Sequence, residues 1–356
     1  MVTISFPGLG IENFTVNPVA FTIPLFGGLE VRWYGLIITL GIILAFSYCA
    51  YRAKQEGIVF DHLLDIAIFT IIFGVLGARI YYVLTSLDKY DSFWEVFAIW
   101  EGGLAIYGGI IAGAITIWLV CRFKKIKTIK MLDATAPAVM IGQILGRWGN
   151  FFNGEAYGTE LFEENPLYFI RMGLIPNIES NTKMHYFHPT FLYESLWNLI
   201  GFILIHCLYK KKRFDGQIVL MYITWYGFGR MFIEGLRTDS LYVGVFRISQ
   251  VVGFLCFAIG LLLLILNFVK ARRAALTAEG YVPTYAKISH MEATTTTQPE
   301  AEATTQLKEE PVKTVSEDEA ETEAPEEPTF DPNEKERVEK RFSDLFHNEN
   351  KENEDQ

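Results

Sequence analysis

Ser249-Gln-Val-Val-Gly-Phe-Leu-Cys-Phe-Ala-Ile-Gly-Leu-Leu-Leu-Leu-Ile-Leu-Asn-Phe-Val269 is a run of 21 residues without a charge. A helix rises 1.5 Å per residue, so about 20 apolar residues cross the hydrocarbon core of a bilayer, and this run reads as a transmembrane helix. Toward the N-terminus similar stretches recur at Trp33–Tyr51, Leu63–Leu84, Gly103–Cys121, Met131–Trp148, Thr190–Tyr209 and Gln217–Ile233. The fourth is the weakest, because Asp133, Gln143 and Arg147 interrupt it. The pattern predicts an all-α integral membrane protein of seven transmembrane helices, with its termini on opposite sides.

Lysine and arginine set the orientation, because short cytoplasmic loops collect them. One set of loops holds Arg52 and Lys54, then Arg122-Phe-Lys-Lys-Ile-Lys127, Lys210-Lys-Lys-Arg213 and Lys270-Ala-Arg-Arg273. The other set has scattered charges such as Lys89, Arg171 and Lys183. The basic side is expected to be cytoplasmic, which puts the N-terminus outside and the C-terminus inside. The first basic residue is Arg32, so a secretory signal is not expected, and the first thirty residues read as an extracytoplasmic lead-in.

The formal charge of −10 hides two different regions. Residues 291–356 hold 21 acidic and 7 basic residues, a charge of −14, so residues 1–290 carry +4. The acidic end, rich in Thr, Glu and Pro, lacks the apolar surface to fold alone. The division expected is a membrane body over 1–273, then a cytoplasmic linker and disordered acidic tail over 274–356. Within that tail, Pro332–Phe346 reads as a transient helix, and a partner for the tail is not identifiable. The four cysteines, Cys49, Cys121, Cys207 and Cys256, show no CxxC or Cys/His spacing. No disulfide, metal, cofactor or nucleic-acid partner is expected.

A charge at mid-bilayer costs roughly 2.5–3.5 kcal/mol on insertion scales, so intramembrane ions are functional candidates. Arg79, Arg147, Arg230, Glu234 and Arg237 all approach the outer leaflet in this topology. Arg79 reads either as snorkelling to headgroups or as functional. Arg230 and Glu234, spaced i, i+4, suggest a supporting ion pair. Arg147 differs, since Asn150, Asn153, Glu155 and several glycines follow it. Glycines let a backbone approach a ligand closely, and a planar guanidinium matches phosphate with two parallel bonds. A phospholipid substrate is implied. No Gly-x-Ser-x-Gly, metal ladder or Walker loop is present, so the nucleophile is expected to belong to a second substrate.

The segment Gly146-Arg-Trp-Gly-Asn-Phe-Phe-Asn-Gly-Glu-Ala-Tyr-Gly158 closely resembles the signature of the prolipoprotein diacylglyceryl transferase family. Further matches are Val31-Arg-Trp-Tyr-Gly35, Glu101-Gly-Gly-Leu-Ala-Ile-Tyr-Gly-Gly109, His188-Pro-Thr-Phe-Leu-Tyr-Glu194 and the stretch from Glu234 to Asp239, in family order. The resemblance implies a bacterial, multi-pass cell-membrane enzyme that takes phosphatidylglycerol and a lipobox cysteine. Its products are a thioether-linked diacylglyceryl cysteine and glycerol phosphate. It implies that Arg147 binds the lipid phosphate and that Arg237 is a second essential arginine. Tyr34, Asn150, Glu155 and Gly158 fall on other important motif positions, and Asn153 is expected to help orient the headgroup.

Some family members have histidine where Tyr107 stands here, and a base role has been attached to it. Tyrosine ionises near pH 10 and is a poor base at neutral pH, whereas a thiol at about 8.5 is already a few per cent thiolate. His188 is the other candidate base, set against a structural role at a helix start before proline. The alternative function is a transporter for an anionic lipid or solute, which predicts repeated halves; the sequence shows no internal repeat.

Overall fold

The computed structural model describes residues 2–24, 28–87, 90, 93–98, 102–175, 184–276, 281–284 and 286–288. The expected disordered tail and its Pro332–Phe346 helix lie outside these residues. Seven long helices fall among them: α1 (Trp33–Gln55), α2 (Phe60–Thr85), α3 (Ile106–Phe123), α4 (Thr128–Asn153), α5 (Thr190–Leu208), α6 (Gln217–Ile233) and α7 (Ile248–Leu276). Five of them, α1, α2, α3, α5 and α7, are long and apolar enough to cross a membrane. Their outward faces carry rows of exposed apolar side chains, such as Ile42, Ile43, Ile71, Ile72, Leu262 and Ile265, as lipid contact requires.

The two remaining helices are explained by position and length. α4 packs against α1, α5, α6 and α3 and so is an interior helix. Its polar residues face protein: Gln143 Nε2 donates to Tyr222 Oη at 3.0 Å, and Asp133 is fully buried. α6 is 17 residues, about 25 Å, and runs on into a tight turn at Glu234–Leu236. The α2–α3 and α6–α7 pairs approach so closely that a Cβ on Gly77, Gly108 or Gly227 would collide with the facing helix. Small residues at such contacts are how helices gain packing where lipid offers no hydrophobic drive.

The body is mostly helical, and short strands join the helices at one end of the bundle. β1 (Val2–Phe6), β2 (Ile11–Val16), β3 (Val19–Ile23) and β4 (Leu29–Arg32) precede α1, in the stretch expected to be a lead-in. β5 (Met172–Leu174) and β6 (His185–Phe187) come from the α4–α5 connection, and β7 (Tyr242–Val243) and β8 (Phe246–Arg247) form a hairpin before α7. A four-stranded antiparallel sheet runs β2-β1-β5-β6. It buries Ile4, Phe6, Val16, Met172 and Leu174 against Phe191 of α5. The alternation in Val2-Thr3-Ile4-Ser5-Phe6 is a strand pattern, but β5 and β6 have only three residues each, too few to show a period.

The opposite end gathers the basic loops. Lys212, between α5 and α6, places its Nζ 2.6 Å from Glu56 after α1 and 3.2 Å from Asp133 near the start of α4. Lys124 after α3 lies 2.6 Å from Asp65 of α2. Beyond α7, Tyr281 donates to Asp215 at 2.6 Å and Lys130 donates to Thr284, so this short segment returns to the same end.

Arg79 neither snorkels nor faces the other arginines. It is buried, and its guanidinium donates to the carbonyls of Glu95 at 2.6 Å, Gly102 at 2.7 Å, Val96 at 2.8 Å and Gly103 at 3.3 Å. It ties the α2–α3 connection to α2, and so sets where α3 begins.

Candidate active site

The site is built where α4 stops. Gly154 adopts a left-handed conformation (φ 65°), which closes the helix with its N–H on Asn150 and Phe151 carbonyls. A residue with a Cβ adopts that conformation at a cost, so glycine suits the position. The chain then folds back, and Glu155 accepts hydrogen bonds from Asn150 Nδ2 at 3.0 Å and Asn153 Nδ2 at 3.2 Å. Asn150 Oδ1 in turn accepts from Arg147 Nη1 at 3.2 Å. Arg147, Asn150, Asn153 and Glu155 thus form one connected polar chain along the end of α4. Tyr34, in the first turn of α1, lies on the bare backbone of Gly149, where a Cβ would come within 2.8 Å of its ring.

The segment after Glu155 is stitched between two others. Gly158 donates its N–H to His188 O at 2.9 Å, His188 N–H goes to Thr159 O at 3.1 Å, and Thr159 N–H goes to Leu236 O at 2.6 Å. Gly158 also bridges Arg237 in antiparallel fashion. A Cβ on Gly158 would sit 2.6 Å from His188 Cβ and 2.9 Å from Thr190 Cγ2, so a larger residue would push these strands apart. Thr190 Oγ1 donates to Ala156 O at 2.8 Å, and Thr238 Oγ1 donates to Tyr157 O at 3.1 Å. Arg237, distant in sequence, is carried to the end of α4 by this backbone.

One buried carboxylate gathers the arginines. Glu194 of α5, 3% exposed, accepts from Arg147 Nη2 at 2.8 Å on Oε1 and from Arg230 Nη1 at 3.0 Å on Oε2. Arg237 Nη1 lies 3.8 Å from the same Oε2. Arg230 also pairs with Glu234 at 2.6 Å, which is the expected i, i+4 contact. Arg237 presents its fork to Asp239, with Nε to Oδ1 at 2.9 Å and Nη2 to Oδ2 at 2.6 Å. That guanidinium holds the Asp239 carboxyl below the usual carboxylate range. Three guanidiniums therefore face three carboxylates. Two of the carboxylates are buried, whereas the Asp239 side chain is half exposed.

The two candidate bases stand in different places. His188 is buried beside Gly158, with Nδ1 3.2 Å from Tyr193 Oη. Burial lowers its pKa, which favours the neutral ring. Tyr107, at the start of α3, places its hydroxyl 2.9 Å from Ser249 Oγ at the start of α7. It belongs to the same end of the bundle but is hydrogen-bonded to α7 rather than to the arginine cluster.

Glu194 and Asp239 are the site residues that sequence reasoning missed. Glu194 carried a signal: it is the only charged residue of Thr190–Leu208, apart from a histidine, and a lone carboxylate in a span invites the same question as a lone arginine.

The chain matches the family model described as prolipoprotein diacylglyceryl transferase over residues 18–266. Among curated relatives, phosphatidylglycerol–prolipoprotein diacylglyceryl transferase 1 of Clostridium perfringens is 44% identical over 257 residues, covering 70% of this chain and 94% of that protein. The enzyme of the same name from Clostridium kluyveri is 42% identical over 259 residues, covering 71% and 96%. That of Streptococcus equi subsp. zooepidemicus is 42% identical over 250 residues, covering 69% and 93%. With its apolar helices and a match that spans the site from end to end, the chain belongs to the prolipoprotein diacylglyceryl transferase family.

Proposed function

We propose that this protein transfers the diacylglyceryl group of phosphatidylglycerol to the lipobox cysteine of a prolipoprotein, with the chemistry at the arginine-rich end of the bundle. The observation that carries this reading is the convergence of Arg147, Arg230 and Arg237 on Glu194 at the end of apolar helices. The substrate phosphate takes its bonds from Arg147 and Arg237. The three arginines already balance three carboxylates, so a phosphate enters most readily where a carboxylate can leave. Asp239, half exposed, is that group, and it occupies the fork that a phosphate would fill.

The cysteine sulfur attacks the glyceryl carbon that bears the phosphate ester. The C–S bond forms, the C–O bond breaks, and the electron pair leaves with glycerol phosphate, whose charge the arginines stabilise. The thiol proton passes to solvent or to a neutral base, for which His188, whose carbonyl holds the Gly158 N–H, is the candidate. Tyr34, Asn150, Asn153 and Glu155 orient the headgroup, and the Gly158 backbone allows close approach. Both substrates are tethered to the membrane and arrive concentrated. The test is purified protein with labelled phosphatidylglycerol and a lipobox peptide. Label is expected on the cysteine peptide and absent from a Cys→Ala peptide; a folded protein that labels neither would end the proposal.

The protein is a multi-pass membrane protein. For its orientation we propose seven spans in a bacterial cell membrane, with the site toward the outer leaflet and residues 274–356 in the cytoplasm. The basic loops support this, since they share the end opposite the site. With the native cysteines replaced, Glu164→Cys in the α4–α5 connection is expected to react with an impermeant thiol reagent in intact cells, and Lys125→Cys is not. The reverse pattern of labelling would invert the topology.

A further inference from the structure

One helical turn before Arg147, α4 presents Gln143, about 6 Å along the helix and on the same face. Gln143 lines an open-sided chamber of about 460 Å³ bordered by α1, α2, α3 and α4. The walls are aliphatic and aromatic, with Ile38, Phe46, Ile66 and Val139 among them. Two polar side chains of that lining hold unpaired atoms buried just behind its surface. Among the described residues, Gln143 Oε1 and Thr70 Oγ1 are buried without a hydrogen-bond partner, and both residues line this chamber. A buried polar atom left unpaired carries a desolvation cost, so a ligand that pairs it gains affinity.

The chemistry narrows the ligand. No charged side chain lines the chamber, so an anion has no counter-charge there. The threonine hydroxyl is a donor. The glutamine amide becomes one when it turns over, because Tyr222, now accepting from Nε2 at 3.0 Å, can as well donate its O–H to Oε1. Two uncharged donors in an apolar chamber suit two uncharged acceptors on an apolar molecule. The ester carbonyls of a diacylglyceryl group are such acceptors, and the glycerol backbone separates them from the phosphate by a distance of the same order as one helical turn. Gly142, beside Gln143, faces open space: a Cβ there would meet nothing within 4 Å.

We propose that Gln143 and Thr70 are specificity residues that hydrogen-bond the ester carbonyls of the lipid donor, with its phosphate on Arg147 and its chains in the chamber. The proposal rests on the transferase reading and adds to it the part of the lipid that the protein recognises. The probes are phosphatidylglycerol with ester-linked chains and the matching lipid with ether-linked chains, which has no carbonyls. One hydrogen bond is worth about 0.5–1.5 kcal/mol, so the wild-type protein is expected to favour the diester about three- to ten-fold in kcat/KM. Gln143→Leu and the near-isosteric Thr70→Val are each expected to reduce that ratio toward one. The ratio is internal to each variant, so the amount of folded protein cancels, and Thr70→Val serves if Gln143→Leu folds poorly. Gly142→Ala, whose added Cβ meets no protein within 4 Å, is expected to raise KM for both lipids together. A wild-type protein indifferent to the carbonyls, or variants that keep its preference, would overturn the assignment and leave a groove filled by bulk lipid. If the wild-type protein transfers neither lipid, the transferase reading itself fails and takes this proposal with it.

Discussion

Arg147→Lys is expected to lower the initial transfer rate by at least about 10²-fold, and Arg237→Lys by a similar factor, while both variants insert and fold. Removing one preorganised donor from an oxyanion-type site typically costs about 10²–10³ in rate. Arg147 makes two directed contacts at once, to Asn150 Oδ1 at 3.2 Å and Glu194 Oε1 at 2.8 Å, and its side chain is still 21% exposed. A lysine ammonium is a strongly hydrated point charge that cannot hold both partners and also present a planar fork. Arg237 depends on planarity too, since both Nε and Nη2 engage Asp239. Arg122→Lys supplies the control, because Arg122 is exposed at the end of α3 and only its charge is at issue. The measurement is initial rate against phosphatidylglycerol concentration, at matched amounts of folded protein. Near-normal turnover by Arg147→Lys would mean that a point charge suffices, and the two-pronged phosphate grip would be wrong.

The parts of the molecule legible in the sequence are those where one face meets lipid. α7 declares itself because nothing but apolar surface will do there. α4 does not, because its surroundings are protein, and there polarity is permitted wherever it is paired. Asp133, Gln143 and Arg147 weaken its hydropathy for that reason, and each has a partner on another helix. The polar chain from Arg147 to Glu155 was readable because it is local, with every member within nine residues. Glu194 and Asp239 became visible only when tertiary structure brought α5 and the segment after α6 to the end of α4. The strands escaped notice for a different reason: β5 depends on pairing with β1, more than 160 residues away in the chain, and β6 pairs in turn with β5.

Lys212 was read from the sequence as one of several loop cations marking the cytoplasmic side, and the structure gives it a larger task. Its side chain is fully buried, as are those of Glu56 and Asp133, and Asp215 Oδ1 lies 3.6 Å from its Nζ. Burial alone lowers the pKa of Lys212, but Asp133 and Glu56 more than reverse this and raise it above the ordinary lysine value. Asp133 also accepts the N–H groups of Gly216 at 2.8 Å and Val219 at 3.0 Å, so α4 supplies the cap that α6 lacks in its own sequence. Lys212→Met fills similar space but leaves two buried carboxylates without their cation. Breaking a buried pair in this way costs roughly 3–5 kcal/mol. The expected result is a clear fall in the midpoint of SDS-driven unfolding in mixed micelles. The molecules that remain folded should transfer lipid at the normal rate, since Arg147 and Arg230 lie at the other end of their helices. Adding Glu56→Gln to Lys212→Met should recover part of the loss, because a neutral amide removes one uncompensated charge and can still accept from Tyr209, now 3.1 Å from Glu56 Oε1. An unfolding midpoint for Lys212→Met equal to that of the wild type would show that this end of the bundle is held by its apolar packing alone.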